Sequence, residues 1–221
     1  MSKEQWTAVD EYISELFIPA DEVLDGALQA QVEAGMPAIN VAPNQGKLLS
    51  ILVQAIGAKK ILEIGTLGAY STIWMARALP PGGKLITLEF EPKHAEVARK
   101  NITRAGLDQT VEVRIGRAID LLPKVAEEGL GPFDLIFIDA DKPSNWDYFQ
   151  WALKLSHPGS VIIVDNVVRD GQVVNAASED AAVRGVRYFN EQVAKESRVN
   201  LTAIQTVGSK GYDGFAIAYV K

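Results

Sequence analysis

Lys60-Ile61-Leu62-Glu63-Ile64-Gly65-Thr66-Leu67-Gly68-Ala69-Tyr70-Ser71 is an apolar run, broken by two glycines, that opens onto helical spacing. The pattern reads as a strand over Lys60–Ile64, a tight turn, and a helix starting near Ser71. Glycines at such a turn let the backbone approach a bound nucleotide closely, and the helix N-terminus adds partial positive charge. The spacing is G-x-x-G, not the G-x-G-x-x-G of nicotinamide dinucleotide sites. By itself the turn leaves more than one nucleotide-like cofactor open, and also an ordinary βα turn with incidental carboxylates.

Working outward, comparable apolar runs recur at Lys84–Leu88, Val111–Ile115, Asp134–Ile138 and Ser160–Val164. Amphipathic segments lie between them, near 71–79, 92–105, 118–128 and 145–155. Strands alternating with helices predict parallel βαβ units with right-handed crossovers. Leu135-Ile136-Phe137-Ile138 has no polar interruption, which fits a strand buried on both faces. After a helix over roughly Glu179–Glu196 come two last runs, Leu201–Val207 and Phe215–Val220. Only Gly208–Gly214 separates them, too short for a crossover helix, so this pair is expected to be antiparallel. The fold class is therefore α/β, with a seven-stranded, mostly parallel sheet, an antiparallel last strand and helices on both faces.

Ahead of this body, Val9, Tyr12, Ile13, Leu16 and Phe17 recur at helical spacing until Pro19. A second helix is expected from about Asp21 to Ala34. Residues 38–46 read as a loop feeding a third helix that closes at Gly57. Residues 1–57 thus form a helical cap and 58–221 an α/β body, together one domain over 1–221, as the length suggests.

The net charge of −6 argues against a nucleic-acid backbone as partner, which calls for a basic footprint. No run of eighteen apolar residues exists to span a membrane. Met1-Ser2-Lys3-Glu4-Gln5-Trp6 lacks the layout of a secretory signal. With no cysteine the chain has neither disulfides nor thiolate chemistry, and the expected location is the cytoplasm.

Two further clusters close strands. Ile138-Asp139-Ala140-Asp141-Lys142 ends the fourth and Val164-Asp165-Asn166 the fifth. Ligands of open α/β sheets bind at the carboxyl ends of strands, so both clusters face one crevice. Asp139, Asp165 and Asn166 offer three hard oxygen donors suited to Mg²⁺, Mn²⁺ or Ca²⁺. The competing role for such residues is capping of helices and turns, and that is the role expected of Asp141.

Taken together, these pieces resemble the cation-dependent O-methyltransferases typified by caffeoyl-CoA and catechol O-methyltransferases, especially small bacterial members. The motifs that carry the likeness are Leu62-Glu63-Ile64-Gly65 with Tyr70-Ser71, Phe137-Ile138-Asp139-Ala140-Asp141-Lys142, and Asp165-Asn166-Val167. It extends from Val41-Ala42-Pro43-Asn44-Gln45-Gly46 to Gly211-Tyr212-Asp213-Gly214-Phe215. The resemblance implies a class I methyltransferase Rossmann-like fold and S-adenosylmethionine as cofactor. It implies cofactor contacts from Val41, Glu63, Gly65, Ser71, Glu89, Ala118 and Asp139, with Glu63 meeting the cationic end and Glu89 the ribose hydroxyls. It implies a divalent cation, usually Mg²⁺, on Asp139, Asp165 and Asn166, and Lys142 beside the hydroxyl to be methylated, so Lys142 and Asp139 are the catalytic candidates. The partner implied is a phenolic small molecule with vicinal hydroxyls, and the helical cap suggests a homodimer. Three departures stand out: Ala69 where the family often has glycine, Glu89 for the commoner Asp, and a Val167–Ser178 loop matching no acceptor-specific pattern.

The rival functions are a nicotinamide-dependent oxidoreductase and a non-catalytic cofactor-binding protein. His94 reads as a solvated surface residue and His157 as part of a turn. Trp74 and Met75 read as core, and Arg184 and Arg187 as exposed helix charges. Trp146 and Tyr148 fit either an acceptor wall or ordinary packing.

Overall fold

Three helices precede the sheet in the computed structural model, which describes residues 2–221: α1 (Lys3–Phe17), α2 (Glu22–Glu33) and α3 (Pro43–Ala55). Asp21 caps α2, its carboxylate accepting from the amides of Val23 and Leu24 at 3.1 Å each. The third helix begins earlier than expected, because Pro43 is preorganised for the first helical position. Gly46 therefore lies inside a helix instead of a loop. A Cβ there would overlap the Trp74 indole, which packs against the bare backbone.

The body runs β1 (Lys60–Ile64), α4 (Tyr70–Arg77), β2 (Lys84–Glu89), α5 (Pro92–Arg104), β3 (Val111–Ile115), α6 (Ala118–Glu127), β4 (Phe133–Ile138), α7 (Asn145–Lys154), β5 (Ser156–Asp165), α8 (Ala181–Val193), β6 (Val199–Gly208) and β7 (Gly211–Val220). Short 3-10 turns cover Lys142–Ser144 and Gln172–Val174. The strands form one sheet in the order β3-β2-β1-β4-β5-β7-β6. β1 to β5 pair in parallel, and β7 is antiparallel to both β5 and β6. The final hairpin is tighter than its sequence suggested: Gly208 pairs with Gly211, so Ser209-Lys210 alone makes the loop.

Alternation along β4 explains its unbroken apolar run. Leu135 and Phe137 point into a core shared with α2, α3, α4 and α5, while Ile136 and Ile138 point into one shared with α6, α7 and α8. At the start of β5 the register jumps from Phe133↔Ser156 to Leu135↔Val161. The turn expected at His157-Pro158-Gly159 is thus an irregularity inside a longer strand. The His157 ring bonds Asp134 at 2.9 Å, the structural role expected of it.

The cap packs on one face only. α1 buries none of its residues, and Val9, Tyr12, Leu16 and Phe17 are each half or more exposed. No helix among the described residues is long and apolar enough to cross a membrane.

Candidate active site

The glycine turn is shaped by the protein itself. Gly65 lies at φ +99°, and a Cβ on it would overlap the Asp139 carbonyl, because the end of β4 crosses directly over the turn. The Asp139 amide donates to the Ile64 carbonyl at 2.8 Å, closing the crossing. Gly68 is bare for another reason: its Cβ position is filled by Gln31 of α2. Ala69, the departure from the family pattern, sits at φ 67° as the N-cap of α4, so the turn keeps its left-handed step without a glycine there.

Two carboxylates stand at the ends of the neighbouring strands. Glu63 is deeper than expected, with no exposed surface. Ser71 donates to one of its oxygens at 2.6 Å, and Thr72 and Thr87 to the other at 2.5 and 2.7 Å. Both Glu63 oxygens are thus engaged by hydroxyls from α4 and β2. Burial pushes the Glu63 carboxyl up to about 7, against the pull of those three hydroxyls. Glu89 ties β2 to the turn: one oxygen accepts from the amides of Thr66 and Leu67 at 3.1 and 2.8 Å, the other from Glu91 at 2.9 Å. A carboxylate has about four acceptor positions, so one remains for a hydroxyl such as that of a ribose. His94 is not solvated as expected but half-buried, with Nδ1 3.5 Å from Glu89.

At the ends of β4 and β5 the expected acidic cluster assembles. Lys142 Nζ lies 2.9 Å from Asp139 Oδ1, and the lysine is buried. Asp165 is buried, accepting from Gln45 Nε2 at 2.8 Å and from the Asn166 amide at 2.9 Å. Burial and the nearby charge of Asp139 push the Asp165 carboxyl up to about 7, with Lys142 pulling the other way. Asn166 adopts φ 57°, a left-handed conformation that asparagine tolerates better than most residues. Among the described residues no three His, Cys, Asp or Glu side chains converge. Two carboxylates sharing the one Lys142 ammonium, with the Asn166 carboxamide next in the chain, are a donor chemistry that fits a hard divalent cation.

Val41 and Ala118 are both buried and belong to the cores on opposite faces of the sheet. Asp141 takes its expected turn role, accepting from Ser144 and Tyr148 hydroxyls at 2.5 Å each. That bond and burial hold the Tyr148 phenol in its neutral form, consistent with packing. Arg184 is exposed as expected. Arg187 is instead half-buried and donates to the Val173 carbonyl at 2.6 Å, anchoring the loop after β5. A cavity of about 430 Å³ between Lys60, Lys84 and Phe133 opens at the amino ends of the strands, opposite the carboxyl-end clusters, and contains none of the expected site residues.

Sequence reasoning missed Thr87, Gln45 and Gly185. Thr87 carried a readable signal: a lone hydroxyl inside the apolar run Leu85–Leu88, in register with Glu63. Gln45 carried none, since its partner is 120 residues away. Gly185 of α8 leaves room for the Lys142 turn; a Cβ there would lie 2.5 Å from the Lys142 carbonyl.

A model of the O-methyltransferase family matches residues 15–216. A catechol O-methyltransferase from Niastella koreensis is 57% identical over 221 residues, all of both chains. Among solved structures, an O-methyltransferase from Bacillus cereus in complex with SAH is 57% identical, with a TM-score of 0.98 over 100% of each chain. One from Streptomyces achromogenes, involved in tomaymycin synthesis and solved with SAM, is 50% identical, with a TM-score of 0.96 over 100% of this chain and 99% of the other. The nicotinamide and non-catalytic readings are overturned by these matches. The chain belongs to the S-adenosylmethionine-dependent O-methyltransferase family.

Proposed function

We propose that the chain moves the methyl group of S-adenosylmethionine to one hydroxyl of a vicinal dihydroxy aromatic, with a divalent cation held by Asp139, Asp165 and Asn166. Mg²⁺ is the first choice, and Mn²⁺ and Ca²⁺ share the same oxygen-donor preference. The observation that carries the reading is the pair of acidic side chains Asp139 and Asp165 at adjacent strand ends, with Lys142 Nζ 2.9 Å from Asp139. A bound cation supplies Lewis acidity that acidifies the acceptor hydroxyl and favours a chelating pair of oxygens. Lys142 holds or takes the hydroxyl proton, Gln45 fixes the Asp165 carboxylate, and Glu89 with the glycine turn aligns the donor. The sulfonium methyl is already activated, so alignment contributes more than nucleophile strength.

Methyl transfer to catechol in EDTA is expected to fall to background and to return when Mg²⁺ is restored in excess. Undiminished transfer in the chelator would overturn the cation part of the proposal.

The reading includes a homodimer and a cytoplasmic location, the latter resting on the cysteine-free sequence. The exposed stripe Val9, Tyr12, Leu16 and Phe17 adjoins the edge strand β6, where Ile204 and Val207 are also exposed. A second copy covering both would remove an apolar patch and an unpaired strand edge at once. Sedimentation equilibrium is expected to return twice the chain mass, and a monomer mass at micromolar concentration would sink this part.

A further inference from the structure

The glycine turn contains two non-glycine residues at positive φ, Leu67 at 51° and Ala69 at 67°. Such conformations persist where surrounding contacts over-determine them. Glu89 restrains one side of the turn. The other side is held by a residue that the cofactor chemistry does not call for. Asn101, on α5, is fully buried, and its Nδ2 donates to the Gly68 carbonyl at 2.9 Å and to the Ala27 carbonyl of α2 at 3.3 Å. Its Oδ1 accepts from Arg104 Nη1 at 2.7 Å, which fixes the orientation of the amide. Both donors and the acceptor are thus used, and a fully satisfied buried network is rigid.

The same helix α2 meets the turn at other points. Gln31 fills the space left by the missing Gly68 side chain. The Arg104 side chain lies against Gly26, with Nη1 3.4 Å from a built Cβ. Asp21, at the start of α2, pairs with Arg77 in the last turn of α4 at 2.5 Å. One cap helix is therefore fastened on both sides of the turn, and Asn101 is the buried group that touches helix and turn together.

We propose that Asn101 is a positioning residue for the S-adenosylmethionine site, clamping the glycine turn to α2 and making the N-terminal cap part of cofactor binding. Removing the amide leaves the Gly68 carbonyl without its buried side-chain donor, breaks the tie to the Ala27 carbonyl, which keeps its Gln31 partner, and frees the turn to relax from its binding geometry.

The test is titration calorimetry with S-adenosylhomocysteine on Asn101→Ala, Arg104→Met and a control, Val193→Ala. Val193 is buried in α8, far in sequence from the turn, so its truncation reports general destabilisation alone. Asn101→Ala is expected to weaken affinity about tenfold, and Arg104→Met about threefold, by loosening the amide. Val193→Ala is expected to lower the melting temperature and keep wild-type affinity. Wild-type affinity in folded Asn101→Ala, or an equal loss in Val193→Ala, overturns the proposal. Should Asn101→Ala fail to fold, Arg104→Met decides: a threefold loss upholds the clamp and wild-type affinity overturns it.

Discussion

Gly65→Ala is expected to abolish detectable S-adenosylhomocysteine binding and to cost about 3 kcal/mol or more of stability. Backbone strain is one reason: Gly65 at φ 99° lies beyond the left-handed well that Leu67 at 51° and Ala69 at 67° occupy. What Gly65 uniquely faces is the Asp139 carbonyl, which a Cβ would overlap. That carbonyl belongs to the backbone at the end of β4, so no side-chain rotation relieves the clash. Either β1 and β4 separate at their carboxyl ends, breaking the 2.8 Å bond from the Asp139 amide to Ile64, or the turn flips. Both routes disturb the glycine turn and Asp139 together. Urea unfolding with calorimetric titration checks this, and a near wild-type midpoint with retained binding would show that the crossing is softer than its geometry.

Lys142→Ala is expected to lower turnover by about 10²–10⁴-fold while cofactor affinity stays within a small factor of wild type. The ammonium is buried and 2.9 Å from Asp139 at the end of β4, whereas the glycine turn is held separately by Glu89, Gln31 and Asn101. Losing the lysine leaves Asp139 without its partner, but that carboxylate keeps 23% of its side-chain surface exposed, so water limits the cost to folding. Arginine should not rescue the rate, because a guanidinium does not release its proton and its planar fork does not match the confined position. Rates at saturating cofactor, read beside calorimetric affinity for S-adenosylhomocysteine, separate the outcomes. Wild-type turnover removes Lys142 from the chemistry, and parallel loss of affinity would make its role architectural.

The contrast between these two residues shows how far local pattern reaches. Lys142 was legible because Asp139-Ala140-Asp141-Lys142 follows an unbroken buried strand, and strand ends are where such sheets place their ligands. Gly65 was legible as a turn residue, yet its stated reason, room for a nucleotide, was incomplete: the room is needed first by Asp139. Glu63 was correctly placed at the end of β1, but its enclosure by Ser71, Thr72 and Thr87 depends on a neighbouring strand and a following helix. His94 and Arg187 were misread for a related reason. A charged helix segment looks solvated in one dimension, while the neighbours that cover it come from elsewhere in the chain.

Sequence alone determined the seven strands, the eight helices to within a few residues, the reversal at the end of the sheet and the identity of both carboxylate clusters. These follow from hydrophobic periods of 2 and 3.6 and from glycine and proline at the breaks, all local properties. Tertiary structure decided the use of each group. It set Gln45 on Asp165, Gln31 in the space beside Gly68, Asn101 between α2 and the turn, and Gly185 beneath the Lys142 turn. Each of those contacts joins residues more than thirty positions apart, and such pairings are selected by whole-core packing, which no local period encodes.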